Sequence, residues 1–226
     1  MTDIVVDQIM TNQNAQINMV KQQLRPGDVL NEDILALFDE FPREDFVPPA
    51  MRPFACSDMQ IPLAHQQRML TPLEEGLILQ ALQLNGNETI LEIGTGTGYL
   101  TAMLSRLCKK IISVDYFSDF TSAAQAKLAQ YNCNNVELIT GDGCQGWLEK
   151  APYDVIVMTG SIETINDTQR LQILPGGKLF AIVGKNPVMK GMLFSLDHEG
   201  TWTQKMLFNT CIPPLINKLL PKEFIF

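Results

Sequence analysis

The sequence predicts an α/β protein with a doubly wound parallel sheet, an antiparallel hairpin at the C-terminal end of the sheet, and an N-terminal helical extension. Apolar β-rich runs alternate with segments of helical spacing from Thr89 onwards, which is typical of parallel βαβ units. The last two β-rich runs are joined by the short polar turn 197–200, which favours an antiparallel pair. We expect residues 1–72 to form the helical and loop extension and residues 73–226 to form one compact domain.

Composition and charge narrow the class of protein. Of the 226 residues, 46% are hydrophobic, which is enough to fill a sizeable core. The net charge is −8 and no basic cluster is present, so we expect no nucleic-acid partner. No run approaches about eighteen apolar residues, and we expect no membrane segment. The polar N-terminus resembles no secretory signal, and the scattered cysteines form no metal motif with the two histidines. These features predict a cytoplasmic protein with reduced thiols and no bound metal.

The N-terminal extension has apolar helical faces but no alternation of strands and helices. A helix is expected over Ala15–Leu24, with Ile17, Val20 and Leu24 on one face. Asn31 is a suitable N-cap for a second helix over 32–41, and the proline-rich stretch 46–49 is expected to be extended coil. Two interpretations stay open for this segment, which either covers one edge of a ligand site or is a plain helical decoration.

The least regular stretch of the chain, residues 56–71, precedes the first strand. Thr71 and Pro72 form a good N-cap and first-position pair for a helix over Leu73–Leu84. A polar loop in this position can lie over a ligand site, so His65 and Arg68 are candidate functional residues. A histidine met in isolation is more often a structural hydrogen-bonding residue than a catalyst.

The central motif of the chain is a strand, a glycine turn and a helix. The β-branched run Thr89–Ile93 is followed by glycines at every second position, Gly94, Gly96 and Gly98, and helical spacing resumes at Tyr99. This arrangement brings a ligand against bare backbone N–H groups at a helix N-terminus. Asp115 ends the next strand, within reach of a ribose in a βαβ unit. The motif therefore predicts a nucleoside cofactor, the alternative being a tight turn without a ligand.

The third glycine position decides between nucleoside cofactors. A dinucleotide motif has glycine where this chain has Tyr99, and a bulky residue leaves less room for a pyrophosphate. Glu92 is awkward beside phosphates but tolerable beside a sulfonium and an amino group. The pattern Glu-x-Gly-x-Gly-x-Gly resembles the first motif of the S-adenosylmethionine-dependent methyltransferases, which predicts this cofactor and not NAD. Candidate contacts in the motif are Glu92, Gly94, Thr95, Gly96 and Gly98.

The remaining elements complete the sheet. Later strands are expected at Ile111–Val114, Val136–Ile139, Val155–Met158, Lys178–Val183, Met192–Leu196 and Trp202–Phe208, and helices at Ser118–Leu128 and Glu163–Leu171. Ligands bind at the C-terminal ends of such strands, where the glycine turn, Asp115, 141–143 and 159–161 should converge. Asp142 either accepts a hydrogen bond from an adenine amino group or only supports its turn.

Several segments together match one family. They are Met19-Val20, Gln23-Leu24-Arg25, Pro42 to Pro48, Leu91 to Tyr99, Gly141 to Gly143, Gly146-Trp147, Ala151 to Asp154, and Leu174 to Gly177. On these residues the chain resembles the protein-L-isoaspartate O-methyltransferase family over nearly its whole length. The resemblance implies a Rossmann-like sheet and isoaspartyl peptides or proteins as acceptors. It also implies that the N-terminal segment and the loop before Pro72 close over a cofactor site lined by Gly94, Gly96, Asp115, Tyr116, Asp142 and Gly143.

One position departs from the family pattern. The family has a Thr-Ile-Ser run whose serine is a catalytic-site residue, and here the matching residues are Arg68-Met69-Leu70. Leu70 therefore occupies the serine position, with Thr71, Arg68 and His65 as neighbouring candidates. The chain is thus expected to be a divergent carboxyl methyltransferase of isoaspartyl residues. The alternatives are a methyltransferase with a different acceptor and a non-catalytic module that binds S-adenosylmethionine.

Overall fold

The computed structural model describes residues 14–217 and is built on a single seven-stranded sheet. Its strands are β3 (Thr89–Ile93), β4 (Lys110–Asp115), β5 (Val136–Thr140), β6 (Tyr153–Ile162), β7 (Ile173–Lys185), β8 (Val188–Leu196) and β9 (Trp202–Thr210), in the order β5-β4-β3-β6-β7-β8-β9. The first five strands in this order, β5 to β7 with β4, β3 and β6 between them, pair parallel, whereas β7 with β8 and β8 with β9 pair antiparallel. The predicted α/β architecture with its antiparallel C-terminal hairpin is confirmed, and the antiparallel part includes the β7–β8 pair as well.

Five further helices and a small ladder complete the fold after the first helical segment, α1, which covers 14–24 and ends in the π-helical turn Val20–Leu24. The helices are α2 (Glu32–Glu40), α3 (Pro72–Leu82), α4 (Tyr99–Leu107), α5 (Ser118–Gln130) and α6 (Asp167–Arg170). The strands β1 (Ile61–Pro62) and β2 (Arg68–Met69) pair antiparallel within residues 56–71, for which no regular structure was predicted. None of the helices within residues 14–217 combines the length and hydropathy needed to cross a bilayer.

Cap residues explain where the helices begin. The Asn31 side chain accepts hydrogen bonds from two backbone N–H groups of the first turn of α2, as the sequence predicted. Thr71 and Glu74 form a capping box at the start of α3, with Pro72 in the first turn. Asn166 and Gln169 form a second capping box at α6, which is shorter than predicted because its N-cap is Asn166 and the helix therefore begins at Asp167.

The N-terminal extension differs from expectation in two places. Ile17 was expected on the buried face of α1, but its side chain is exposed, and Met19 is buried instead. The π turn explains the difference, since the Arg25 N–H bonds to the Val20 carbonyl five residues back and shifts the buried face by one position. Extended coil was expected for 46–49, but Phe46 has helical dihedral angles and Pro49 begins a 3₁₀ segment that ends at Phe54.

The apolar core lies on both faces of the sheet. One cluster joins Phe38 and Phe46 of the N-terminal extension to Tyr99 and Leu104 of α4 and reaches Ile212 near the end of the described chain. The other fills the opposite face, around Ile156 of β6. The extension therefore shares a core with the sheet. The predicted domain boundary at residue 72 stays a prediction. Residues 1–13 and 218–226, the two ends of the predicted domains, lie outside the described residues.

Candidate functional site

A pocket lies at the C-terminal ends of β3 and β4 and beside Thr159 and Gly160 of β6. The strand order reverses between β3 and β6, and ligands bind at such a reversal in doubly wound sheets. The glycine turn and the turns at Asp115 and Asp142 form one side of it, and the loop before α3 forms another. The predicted site residues that line it are Arg68, Leu70, Gly94, Thr95, Gly96, Asp115, Tyr116, Asp142 and Gly143. The structure thus brings nine of the candidates together, whereas His65, Thr71, Glu92 and Gly98 are absent from the lining.

The glycine turn needs glycine for conformational and spatial reasons. Gly94 has φ 99°, and a Cβ there would overlap the Thr159 hydroxyl. That hydroxyl donates to the Gly94 carbonyl at 2.8 Å and fastens the turn to β6. Gly96, at φ 52°, presents its backbone N–H to the Asp115 carboxylate at 2.8 Å. The turn is therefore a bare backbone surface whose conformation is held from two strands.

Gly98 has a different role from the one expected. It is the N-cap of α4 at φ 80°, and a Cβ there would lie 2.9 Å from the Cβ of Ala124 on α5. Glycine at this position therefore allows α4 and α5 to approach each other closely. A direct contact of Gly98 with a ligand is not what the structure indicates.

Asp115 ends β4 with its side chain against the pocket. One carboxylate oxygen accepts the Gly96 N–H, and the other accepts the Phe117 N–H at 2.9 Å. Burial raises the pKa of this carboxyl, and the two backbone donors oppose the rise because they favour the charged form. Each oxygen retains a further acceptor position, which is what a pair of ribose hydroxyls requires.

The second acidic turn places Asp142 and Gly143 across the pocket. One Asp142 oxygen accepts the Cys144 N–H at 3.0 Å, the bond of a turn aspartate, and the other accepts the Asn217 side-chain amide at 3.0 Å. The turn interpretation and the ligand interpretation of Asp142 are therefore compatible. Tyr116 stands half exposed at the rim of the pocket.

Glu92 does not face the pocket, contrary to the expectation of a ligand contact. Its side chain is fully buried, and it accepts hydrogen bonds from the hydroxyls of Thr101 and Ser113, each at 2.5 Å. Burial raises the pKa of this carboxyl to about 7, while the two hydroxyl donors act in the opposite direction. Glu92 thus links β3 to α4 and β4 behind the glycine turn.

The loop before α3 brings Arg68 and Leu70 to the pocket. Leu70 is buried and lines the pocket, and its carbonyl accepts a hydrogen bond from the buried guanidinium of Arg43. Arg43 also forms a buried ion pair with Glu75 of α3, which itself lines the pocket. Neither residue of this pair was a candidate, and the adjacent Glu74 and Glu75 give no signal in the sequence that Glu75 is buried in an ion pair.

Two candidates of the same loop point elsewhere. The Thr71 hydroxyl accepts the Glu74 N–H at 3.2 Å in the capping box, so it is engaged in helix capping. His65 pairs with Asp119, with 2.9 Å between Nε2 and Oδ2, and its ring stacks on Phe117. The structure therefore gives neither residue the position of a catalyst.

The last wall of the pocket comes from the chain beyond β9. Ile212, Pro213, Leu215 and Ile216 line it, and none was a candidate. Ser161 holds this segment: its N–H donates to the Pro213 carbonyl at 3.1 Å and its carbonyl accepts the Leu215 N–H at 3.0 Å. Among the described residues, no group of three or more His, Cys, Asp or Glu is placed to hold a metal ion.

Comparison with known proteins identifies a common family. A family model described as protein-L-isoaspartate(D-aspartate) O-methyltransferase matches residues 13–219. The Trichlorobacter lovleyi protein-L-isoaspartate O-methyltransferase is 31% identical over 204 residues, covering 90% of this chain and 94% of the relative. A Pelobacter propionicus protein-L-isoaspartate O-methyltransferase 2 is 34% identical over 175 residues, covering 77% of this chain and 78% of the relative.

Solved structures show the same fold. A Plasmodium falciparum structure, assigned to the protein-L-isoaspartate O-methyltransferases and solved with S-adenosyl-L-homocysteine, has a TM-score of 0.72 at 15% identity and covers 90% of this chain and 97% of its own. A second protein-L-isoaspartate O-methyltransferase structure has a TM-score of 0.70 at 22% identity. This chain spans 65% of the length of that second structure, which covers 90% of this chain.

Proposed function

Because this chain belongs to the protein-L-isoaspartate(D-aspartate) O-methyltransferase family of S-adenosylmethionine-dependent enzymes, we propose that it methylates the carboxylate of isoaspartyl residues in peptides and proteins. One observation carries the proposal: a single pocket is lined by the glycine turn and Asp115 on one side and by Arg68 and Leu70 on the other. A cofactor on the first side and an acceptor on the second would therefore meet within it.

The residues present fit S-adenosylmethionine, which supplies a methyl group activated on a sulfonium. The bare backbone at Gly94 and Gly96 leaves room for the cofactor, and the free acceptor positions of Asp115 suit the ribose hydroxyls. Asp142, across the pocket, suits the adenine amino group. Tyr99 occupies the third glycine position of a dinucleotide motif and lines the pocket, which disfavours a pyrophosphate.

The acceptor side needs to align reactants and requires no strong base. The free carboxyl of an isoaspartyl residue is its α-carboxyl, with an ordinary pKa below about 4, so it is already ionised at neutral pH and is itself the nucleophile. Arg68 is the exposed cation of this side and can hold a carboxylate with two parallel hydrogen bonds. The carboxylate of Glu75 is paired with Arg43 and is not available as a general base.

The test compares methyl transfer to an isoaspartyl peptide with transfer to the aspartyl peptide of identical sequence. We expect production of S-adenosylhomocysteine with the isoaspartyl peptide alone, and Arg68→Ala should raise KM for this peptide. Equal rates with both peptides would contradict the proposed acceptor. Calorimetric titration separates the cofactors, since we expect S-adenosylhomocysteine to bind and NAD not to bind.

Leu70 favours a second candidate, a methyltransferase with a different acceptor, because an apolar side chain stands at the position of the family serine. Turnover with acceptors other than isoaspartyl peptides, together with no discrimination between the two peptides, would support it. Cofactor binding without turnover on any acceptor would instead indicate a binding module.

A further inference from the structure

The hairpin formed by β1 and β2 lies over the glycine turn. Ile61 pairs with Met69 and Pro62 with Arg68, so residues 63–67 form its tip. The Leu63 side chain lies 3.8 Å from where a Cβ on Gly96 would stand, and the Thr97 hydroxyl lies 3.7 Å from the Met69 sulfur. The hairpin is therefore in direct contact with the turn that is proposed to hold the cofactor.

His65 attaches the tip of this hairpin to the opposite wall of the pocket. Its ring stacks on Phe117 with centroids 3.9 Å apart and an interplanar angle of 4°, and it meets the edge of Phe120 at 5.5 Å. Its Nε2 lies 2.9 Å from Asp119 Oδ2. Phe117 and Phe120 both line the pocket, so the attachment joins the tip of the hairpin to the pocket wall.

The backbone of the tip requires such an attachment. His65 has φ 55° and Gln66 has φ 58°, so two consecutive residues with side chains occupy the left-handed region, which L-residues rarely adopt. Contacts elsewhere must offset this strain. The described contacts of the His65 side chain, all with residues 117–120, are the ones positioned to do so.

We propose that His65 is a positioning residue that clamps the hairpin over the bound cofactor and slows the release of S-adenosylhomocysteine. The clamp rests on the cofactor of the proposed function but not on its acceptor. Stacking supplies most of the effect, because the ion pair is exposed and exposed pairs contribute little. The role differs from catalysis, since His65 contacts Phe117, Phe120 and Asp119 and does not line the pocket.

The experiment measures the dissociation rate of S-adenosylhomocysteine by stopped-flow fluorescence. His65→Ala should dissociate about tenfold faster, since it loses both the stacking and the ion pair. His65→Phe retains an aromatic ring and Asp119→Asn retains the stacking, so each should fall between wild type and His65→Ala. Glu32→Gln is the matched control, because it removes an exposed ion pair with Arg25, and neither of these residues lines the pocket, so it should not change the rate.

Hydrogen exchange of the free protein provides a readout that is independent of any ligand. The backbone amides of 61–69 should exchange faster in His65→Ala than in wild type or Glu32→Gln. Faster dissociation without faster exchange would overturn the positioning role and indicate a direct ligand contact. An unchanged dissociation rate in folded His65→Ala would overturn the clamp.

The variants also separate the clamp from the proposed function. If wild type does not bind S-adenosylhomocysteine, the proposed function fails. If wild type binds but the His65 variants release the product at the wild-type rate, only the clamp fails. Should His65→Ala not retain the wild-type circular dichroism, the comparison of His65→Phe and Asp119→Asn with the control decides, and wild-type rates in both would overturn the proposal.

Discussion

Replacement of Leu70 by serine tests whether the substituted family position limits the acceptor reaction. Leu70 lines the pocket, and its backbone carbonyl is held by Arg43. The backbone contact does not depend on the side chain, so a serine at this position should present its hydroxyl where the leucine side chain now stands. We expect Leu70→Ser to raise kcat/KM for an isoaspartyl peptide.

Leu70→Ser should change two quantities, the rate of methyl transfer and the free energy of unfolding. A hydroxyl that donates to the acceptor carboxylate forms a hydrogen bond to a charged group, valued at about 1.5–3 kcal/mol, or roughly a ten- to hundredfold gain in rate. The buried leucine side chain belongs to the main apolar cluster, and its truncation should lower the free energy of unfolding by about 2–5 kcal/mol. Activity should therefore rise while stability falls.

Leu70→Ala is the control that separates these effects, because it creates a similar cavity without a hydroxyl. Methyl transfer to isoaspartyl and aspartyl peptides is measured for the wild type and both variants, at a temperature where circular dichroism shows all three folded. We expect Leu70→Ser to exceed Leu70→Ala by the hydrogen-bond factor with the isoaspartyl peptide alone. Equal rates for the serine and alanine variants would refute the reasoning.

Three further predictions concern Asp115, Gly94 and Glu92. Asp115→Ala should lower the affinity for S-adenosylhomocysteine about ten- to hundredfold in calorimetric titration, through the loss of charged hydrogen bonds, and an unchanged affinity in the folded variant would remove Asp115 from the site. Gly94→Ala should lower Tm and abolish binding because its Cβ would overlap the Thr159 hydroxyl, whereas Gly86→Ala, at a similar φ of 91° with nothing within 4 Å, measures the backbone cost alone, and equal Tm losses would exclude the steric cause. Burial raises the pKa of Glu92 from 4.5 to about 7. As pH rises between these two values, the unfolded state loses this proton before the folded state does, so the free energy of unfolding should fall. The fall over this range should be at most on the order of 3 kcal/mol. Glu92→Gln should flatten this part of the pH profile in urea titrations, and an unchanged slope would contradict the assignment.

The sheet and the glycine turn were predictable because their signals are local in the sequence. The strand Thr89–Ile93 has the bounds that its β-branched, apolar run and flanking turn residues indicate. The N-cap at Thr71 and the hairpin turn at 197–200 depend likewise on residues close together in the chain. Asp115 could be placed because the carboxyl ends of neighbouring parallel strands meet at one edge of the sheet.

The acceptor side could not be predicted in the same way, because its contacts join distant parts of the chain. Arg43 and Glu75 lie 32 positions apart in the chain, and only the folded structure shows that they are buried against each other. The partner of His65 is Asp119 on α5, and no local sequence pattern indicates this pairing. Glu92 was assigned to the ligand from its position before the glycines, but the alternation of the strand directs its side chain into the protein.

The pocket also has a consequence for the folding of the chain. Its walls come from the hairpin near Leu63, the turns after β3, β4 and β5, and the segment that reaches Ile216. Contacts between residues so far apart in sequence form late, after the loops between them have closed. The cofactor site therefore exists only in the fully assembled molecule. A ligand bound there should shift the thermal unfolding of the whole chain, and partly folded intermediates should not bind it.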